Sequence, residues 1–178
     1  TTSSNTCRLI VCNPSTRKWK RLPAPPTQDY PSVHPNDSCF RYTTLLAYDP
    51  SWSAQFYVFR FQQKFDGSRS LGIRQLEVFS PSLSTWFVDD SQCWDRDAWG
   101  WNSIILAVKS HYFMSGVLYL QTRSHNILVV ESLEAMSHRM PLPPHHFTIM
   151  LPHDHRGLKV GCFGQSSGLL QCAFQEEG

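Results

Sequence analysis

The sequence predicts an all-β protein, and more narrowly an incomplete β-propeller built from four-stranded antiparallel blades. Two observations lead to this prediction. A unit of two strands joined by a proline turn recurs along the chain, and the predicted strands fall into successive groups of two, four, four and two. Repeated four-stranded antiparallel units of roughly 45 residues are typical of propeller blades. No stretch shows convincing helical periodicity.

The first copy of the recurring unit spans Cys7 to Pro26. It contains a strand, a turn opened by Asn13-Pro14, and a second strand that carries Trp19. Proline presets φ at the second place of a turn, and the asparagine before it can bond to nearby backbone. Strand alternation predicts Trp19 on one face, with Lys18 and Lys20 on the other. This stretch therefore predicts a β-hairpin.

Two later stretches repeat this unit. In the second copy, Leu76 to Asp89, Trp86 follows Pro81 at the spacing seen in the first copy. We therefore expect Trp19 and Trp86 to be structural residues in equivalent positions. A looser third copy spans Asn126 to Pro144.

The remaining strands complete the predicted blades. They are rich in β-branched and aromatic residues and are bounded by turn signals. The first full blade has strands Tyr42–Tyr48, Gln55–Gln63, Gln75–Ser80 and Thr85–Asp89. The second has Ile104–Val108 with Tyr112-Phe113, Val117–Gln121, Ile127–Val130 and Arg139–Leu142. Half a blade follows, with strands Lys159–Phe163 and Leu169–Phe174. The apolar run Phe56 to Phe59 is expected between two other sheets.

The predicted strands make up about three blades, whereas propellers close with typically four to eight. We therefore expect an incomplete segment of a ring, and the absence of Met at position 1 points to a longer parent protein. The strands Arg8 to Cys12 and Leu169 to Phe174 then have unpaired edges. Such edges carry a risk of self-association.

Composition and charge favour a globular protein without nucleic-acid or membrane partners. The chain is 41% hydrophobic and its net charge is +2. Its one dense basic cluster, Arg17 to Arg21, is interpreted as a solvated strand face. No apolar run approaches the roughly 20 residues of a membrane span. The six cysteines show no CxxC spacing and three lie in apolar strand contexts, so we expect buried reduced thiols and a cytoplasmic or nuclear location.

An ordered series of segments runs through the chain: CNPSTRKWKRLPAPP, LLAYDP, FYVFRF, LEVFSPSLSTW, SGVLYLQTRSHNILVVE, MPLPP and KVGCFGQSSGLLQCAF. This series resembles the F-box-associated propeller of plant F-box proteins, a relative of Kelch propellers. The resemblance covers nearly all of residues 1–178, which we treat as one domain. It departs from the family plan because no F-box precedes Cys7 and the last blades are absent.

The resemblance implies a non-catalytic protein-interaction domain without a cofactor or metal. In such proteins an F-box binds the Skp-type adaptor of a cullin ubiquitin ligase, and the propeller selects the protein substrate. For this chain we expect substrate recognition, with the adaptor and the cullin bound through an F-box of the parent protein.

The candidate substrate-binding residues are Trp94, Arg96, Trp99 and Trp101. They lie in the stretch Asp89 to Trp101, which the sequence marks as a loop rich in aromatic and acidic residues. Tryptophan and arginine on loops are typical of binding hot spots. The alternative is that these indoles pack between blades.

Two further patterns match a hydrolase motif and a set of metal ligands, but their sequence context disfavours both functions. Gly164 to Gly168 matches the G-x-S-x-G of hydrolases, but a strand pattern follows it where that motif needs a helix, so a hairpin turn is favoured. Four histidines and Asp154 lie within residues 145–155, in a proline-containing stretch that is typical of a loop between blades.

The alternative function is a Kelch-like metal-dependent oxidase or a sugar-binding propeller. An oxidase of this kind needs copper ligands, typically histidine and tyrosine. His111-Tyr112 is the one close pair, and it lies in a predicted strand.

Overall fold

The computed structural model describes residues 9–26, 39–66, 69–89, 106–122, 126–131, 145–149, 158–166 and 169–176. Twelve β-strands lie in these ranges. They are β1 (Ile10–Asn13), β2 (Lys18–Arg21), β3 (Cys39–Tyr48), β4 (Phe56–Asp66), β5 (Arg69–Ser80), β6 (Thr85–Asp89), β7 (Leu106–Met114), β8 (Val117–Thr122), β9 (Ile127–Glu131), β10 (His145–Ile149), β11 (Leu158–Ser166) and β12 (Leu169–Glu176). Over the described ranges there is no helix with the length and apolar character needed to cross a membrane.

The described strands form four antiparallel sheets of two, four, four and two strands. We call β1–β2 the first hairpin, β3–β6 the first full sheet, β7–β10 the second full sheet and β11–β12 the last hairpin. In both full sheets, strands that follow one another in the chain are neighbours in space. Over the described residues, the prediction of an all-β chain with strands grouped in this way is confirmed.

The turns of the first two copies of the repeat have the same backbone shape. Each turn has four residues, and its last residue adopts a left-handed conformation, with φ of 52° at Arg17 and 51° at Ser84. In the first turn, the side-chain oxygen of Asn13 accepts backbone N–H hydrogen bonds from Ser15 at 3.0 Å and Thr16 at 3.2 Å. Asparagine therefore shapes this turn as the sequence predicts.

The third copy of the repeat differs from its prediction. β9 pairs with β10, His145–Ile149, and not with the predicted strand Arg139–Leu142, which lies outside the described residues. The described pairing with β9 runs from His145, the residue after Pro144, and proline has no N–H to donate to a strand ladder. The expectation that His145 and His146 lie in a loop between blades is therefore wrong.

The first full sheet is covered on both faces, as its apolar run predicts. On one face of β4, Tyr57, Phe59 and Phe61 belong to a buried cluster shared with β3 and β5 and with the second full sheet. Its other buried members are Leu45, Ala47, Ile73, Leu76, Val78, Leu118, Leu120, Leu128 and Val130. On the opposite face, Val58 packs in a second cluster that includes Leu9 and Val11 at the start of the chain. The first full sheet therefore lies between the first hairpin and the second full sheet.

A buried ion pair joins the two central strands of the first full sheet. Arg60 on β4 lies opposite Glu77 on β5, with 2.9 Å between Nη1 and Oε2, and the two side chains are 1% and 0% exposed. The guanidinium group lies 3.6 Å from the centre of the Tyr42 ring. The amide of Gln75 donates to the other carboxylate oxygen at 3.3 Å. Hydrogen bonds and a cation–π contact thus offset part of the cost of burying the two charges.

The turn between β3 and β4 contacts the turn between β7 and β8. The Asp49 carboxylate accepts hydrogen bonds from the Ser51 hydroxyl at 2.5 Å and from the backbone N–H of Ser115 at 2.9 Å. These bonds, first that from Ser51, hold the pKa of Asp49 below its usual value, against a smaller opposing effect of burial. Beside them, the Trp52 indole lies so close to Gly116 that an added β-carbon would be 2.6 Å away from it.

We predict that Arg60→Met lowers the free energy of unfolding by about 3–5 kcal/mol, because it leaves the Glu77 carboxylate buried without its counter-charge. Urea unfolding followed by circular dichroism measures the change. The double variant Arg60→Met with Glu77→Leu is the control, and it recovers most of the loss since no charge remains buried. A double variant as unstable as Arg60→Met would contradict the electrostatic explanation.

We predict that Gly116→Ala destabilises the contact between the two full sheets. Gly116 has φ of 80°, and its missing β-carbon leaves the room that the Trp52 indole occupies. Backbone strain and overpacking together lower the free energy of unfolding by at least about 2 kcal/mol. The matched control is Gly164→Ala, because no atom lies within 4 Å of the β-carbon that would be added there. Equal effects in thermal unfolding would argue against the close packing at Gly116.

Candidate functional site

An open groove lies between the first hairpin and the outer face of the first full sheet. Its volume is about 530 Å³. The groove is lined by residues of the first hairpin, by the end of β3 and by the segment that leads into β4. These residues are Val11, Cys12, Asn13, Pro14, Lys18, Trp19, Lys20, Leu46, Tyr48, Ala54 and Phe56. We call this site the edge groove.

The edge groove exposes large apolar side chains that proteins usually bury. Trp19 is 69% exposed, Tyr48 53% and Leu46 48%. Lys18 and Lys20 add positive charge at the wall formed by β2. A contiguous exposed apolar surface with a polar rim is typical of a protein-binding site.

Strand alternation explains why Leu46 and Tyr48 face the groove. On β3 they lie opposite Val58 and Phe56, and residues opposite one another in a sheet share a face. Val58 is covered by the first hairpin, but the hairpin does not extend over the end of β3. The part of this face that the hairpin leaves uncovered is the floor of the groove.

The open edge of β1 forms one side of the groove. β1 pairs with β2, and no other described strand pairs with its second edge. An open strand edge offers backbone N–H and C=O groups to an incoming strand. The edge groove therefore combines an apolar floor with a hydrogen-bonding edge, which suits a β-strand better than a small molecule.

Trp19 and Trp86 occupy equivalent positions but have different surroundings. Trp86 lies opposite Phe79, packs against its ring with centroids 5.4 Å apart, and donates a hydrogen bond from Nε1 to the carbonyl oxygen of Pro23 at 3.1 Å. Trp19 lies opposite Cys12 and is mostly exposed. The expectation that both tryptophans are structural is confirmed for Trp86 and not for Trp19.

The charged face of β2 is exposed, as expected, but it does not point away from the protein. All four residues of β2 are exposed, yet the Lys20 ammonium lies 5.8 Å from the centre of the Phe79 ring. By alternation, Lys20 faces the first full sheet and Trp19 faces the opposite way. The face of β2 that carries Trp19 therefore points away from the first full sheet, and we call it the outer side of the first hairpin.

The expectation of buried thiols is wrong for Cys12. Its side chain is exposed, carries a free thiol and lines the edge groove. It lies on the same side of the first hairpin as Trp19, because the two residues are opposite one another. The side chains of the other five cysteines lie outside the described residues.

The sequence-predicted substrate-binding residues Trp94, Arg96, Trp99 and Trp101 lie outside the described residues. The described residues include Asp89, the first residue of that stretch, whose side chain is 5% exposed. That assignment stays a prediction.

The histidines and the aspartate that were weighed and disfavoured as metal ligands are only partly described. Residues 153–155 lie outside the described residues, and of His145 and His146 only the backbone is described. His111 is exposed and Tyr112 is half-buried on β7. Among the residues that the structure describes, no group of three histidine, cysteine, aspartate or glutamate side chains could hold a metal ion.

Comparison of the chain with models of protein families, with curated proteins and with solved structures gives no match. The geometry of the edge groove therefore has to be interpreted from its own residues. Sequence reasoning found one of its components, the unpaired edge at Arg8 to Cys12. It missed the floor, because Leu46 and Tyr48 alternate with the equally apolar Leu45 and Ala47, and the sequence does not show which face of β3 is left uncovered.

We predict opposite outcomes for two matched tryptophan substitutions. Trp86→Ser removes a ring contact and a hydrogen bond, so it lowers the free energy of unfolding by at least about 2 kcal/mol. Trp19→Ser removes a mostly exposed side chain, so in dilute solution it changes that free energy by no more than about 0.5 kcal/mol. Urea unfolding of both variants measures the difference. Equal losses would show that Trp19 is as tightly packed as Trp86.

Proposed function

We propose that this chain is a non-catalytic protein-interaction domain, a propeller segment that recognises protein substrates for a cullin-type F-box ubiquitin ligase. The observation that carries the interaction role is the edge groove, where the exposed side chains of Trp19, Leu46 and Tyr48 adjoin an open strand edge. Exposed tryptophan and tyrosine beside lysine supply large contact areas and a polar rim.

The stacking of the sheets supports a propeller plan. β7, the first strand of the second full sheet, contacts β3, the first strand of the preceding sheet, and also β11, the first strand of the last hairpin. Sheets whose first strands adjoin while their faces stack are arranged like successive blades around an axis. The ordered sequence segments that resemble F-box-associated propellers support the ligase role and a cytoplasmic or nuclear location.

Within this proposal, the parts of the chain have different roles. The segment with Trp94, Arg96, Trp99 and Trp101 follows β6 and is proposed to contact the substrate. The edge groove binds a protein segment in an extended conformation. The Skp-type adaptor and the cullin bind through an F-box of the parent polypeptide.

The alternative, a Kelch-like oxidase or sugar-binding propeller, has less support from the described residues. His111 and Tyr112 are consecutive on β7, and consecutive residues on a strand point to opposite faces of the sheet. The pair therefore needs ligands from other strands to hold copper. A metal analysis of the purified protein that detected stoichiometric copper would favour this alternative.

Affinity purification of the full-length parent polypeptide from its native cells, followed by mass spectrometry, tests the ligase role. We expect recovery of a Skp-type adaptor and a cullin together with candidate substrates. A matched bait in which Trp94, Trp99 and Trp101 are replaced by serine keeps the adaptor and the cullin and loses the substrates. A folded and abundant wild-type bait that recovers neither ligase component would overturn the assignment.

A further inference from the structure

We infer that one end of the first full sheet is a docking site for an acidic segment of the protein substrate. At this end β3, β4 and β5 continue beyond the point where β6 stops. We call this projecting end, residues 39–42, 62–66 and 69–75, the cationic tip. The inference rests on the proposed role in substrate recognition and assigns a chemistry to the substrate.

The cationic tip is an extension that the second full sheet does not have. In that sheet, the pairing of β8 with β9 ends where Gln121 lies opposite Ile127. Counted back from the last residues of β9 and β5, the equivalent pair of the first full sheet is Phe61 with Leu76. There β4 continues for five more residues, to Asp66. The stacking of one full sheet on the other therefore does not account for the extra length.

The strands of the cationic tip carry four basic residues and one acidic residue. These are Arg41, Lys64, Arg69, Arg74 and Asp66. Arg41 and Arg74 are exposed and Lys64 is half-buried. Among the described side chains, none of these three cations has a carboxylate within salt-bridge distance. Like charges repel one another, so an anionic partner lowers the electrostatic energy of the tip.

Aromatic rings hold two of these cations in place. The guanidinium carbon of Arg41 lies 4.4 Å from the centre of the Phe65 ring, and that of Arg74 lies 5.9 Å from the centre of the Phe40 ring. A cation–π contact restricts the arginine side chain, so less conformational entropy is lost on binding. Phe40 is itself 42% exposed, so it adds apolar contact area beside the charges.

A β-bulge takes Arg74 out of the regular strand ladder. Gln62 lies opposite Gln75 and Gln63 lies opposite Ile73, so no residue of β4 lies opposite Arg74. Bulges re-aim side chains and are frequent beside functional sites. The arginine that reaches across β4 to the aromatic ring on β3 is thus the bulge residue.

The cationic tip adjoins the stretch that is proposed to contact the substrate. That stretch begins at Asp89, the last residue of β6, which lies opposite Leu76 on β5. Arg74 is two residues before Leu76. The start of the stretch and the tip therefore lie at the same end of the first full sheet, where one substrate can contact both.

The chemistry of the tip fits carboxylates better than a strand of nucleic acid. Guanidinium groups bind carboxylates through paired hydrogen bonds. A single strand of nucleic acid is bound through aromatic rings that are free to stack on its bases. Here a guanidinium group already lies near each ring, and the Phe65 ring is half-buried. Aspartate and glutamate side chains of a protein segment are therefore the ligands that fit the tip.

Fluorescence anisotropy of a labelled peptide of alternating glutamate and serine, added to the purified chain, tests the inference. We expect binding that weakens at least about threefold when salt rises from about 50 to about 200 mM, because the contacts are exposed charge pairs. The same peptide with glutamine in place of glutamate is the control, and it does not bind. Equal binding of the two peptides, or no binding at about 1 mM glutamate peptide, overturns the inference.

The double variant Arg41→Gln with Arg74→Gln tests the location of the site. We expect peptide binding to weaken at least about fivefold, because two charge-assisted contacts are lost. The matched control is Arg17→Asn with Arg21→Gln, which removes two exposed charges from the first hairpin and leaves the affinity unchanged. Asparagine tolerates the left-handed backbone of Arg17. Circular dichroism checks that both variants are folded, and equal losses of binding would overturn the location.

Oligothymidylate with the same number of negative charges tests the choice of a protein ligand. We expect it to bind more weakly than the glutamate peptide. Tighter binding of the oligothymidylate, lost in the variant with Arg41→Gln and Arg74→Gln, would overturn that choice and identify a nucleic-acid site.

The inference and the ligase assignment can fail separately. If the wild-type parent bait recovers neither a Skp-type adaptor nor a cullin, the ligase assignment falls, while peptide binding by the purified chain is unaffected. If the bait recovers both components but the glutamate peptide does not bind, the ligase assignment stands and the cationic tip is not an acidic docking site.

Discussion

The buried pair of Arg60 and Glu77 fixes the pairing of β4 with β5, and the rest of the sheet stack depends on that pairing. A slip of one residue would move one of the two charges into the apolar cluster shared with the second full sheet and leave the other charge without its partner. Burial of an unpaired charge costs several kcal/mol, roughly a third or more of the stability of a typical domain. With the register fixed, Val58 faces the first hairpin and Phe59 faces the second full sheet.

A sheet with two apolar faces needs a neighbour on each side, and this requirement builds the stack. The first full sheet meets it with the first hairpin and the second full sheet. Turn-to-turn contacts at Asp49 and Gly116 then set how the two full sheets meet. The same requirement is not met at the outer side of the first hairpin, where Trp19 and Ile10 are 69% and 59% exposed. The exposure of Trp19 at the edge groove is a direct result of this difference.

The sequence predicted what local chemistry determines and missed what distant contacts determine. The proline turns at Pro14 and Pro81, together with alternating apolar residues, were enough to find the hairpins and the strand groups. The partner of β9 was misplaced because the third copy lacks such a turn and thirteen residues of uncertain pattern separate it from β10. The ion pair and the floor of the edge groove depend on which strand faces lie together. One sequence does not reveal this before the sheets are assembled.

The exposure of Trp19 shows what the edge groove offers to a partner. The edge groove combines apolar side chains, two ammonium groups and an open strand edge. Backbone groups of an open edge recognise any strand, so specificity has to come from side chains that fit one register. Here Trp86 shows what such a fit requires, namely a sheet in front that offers a carbonyl oxygen and an apolar surface. A partner of the first hairpin has to offer the same two features to Trp19.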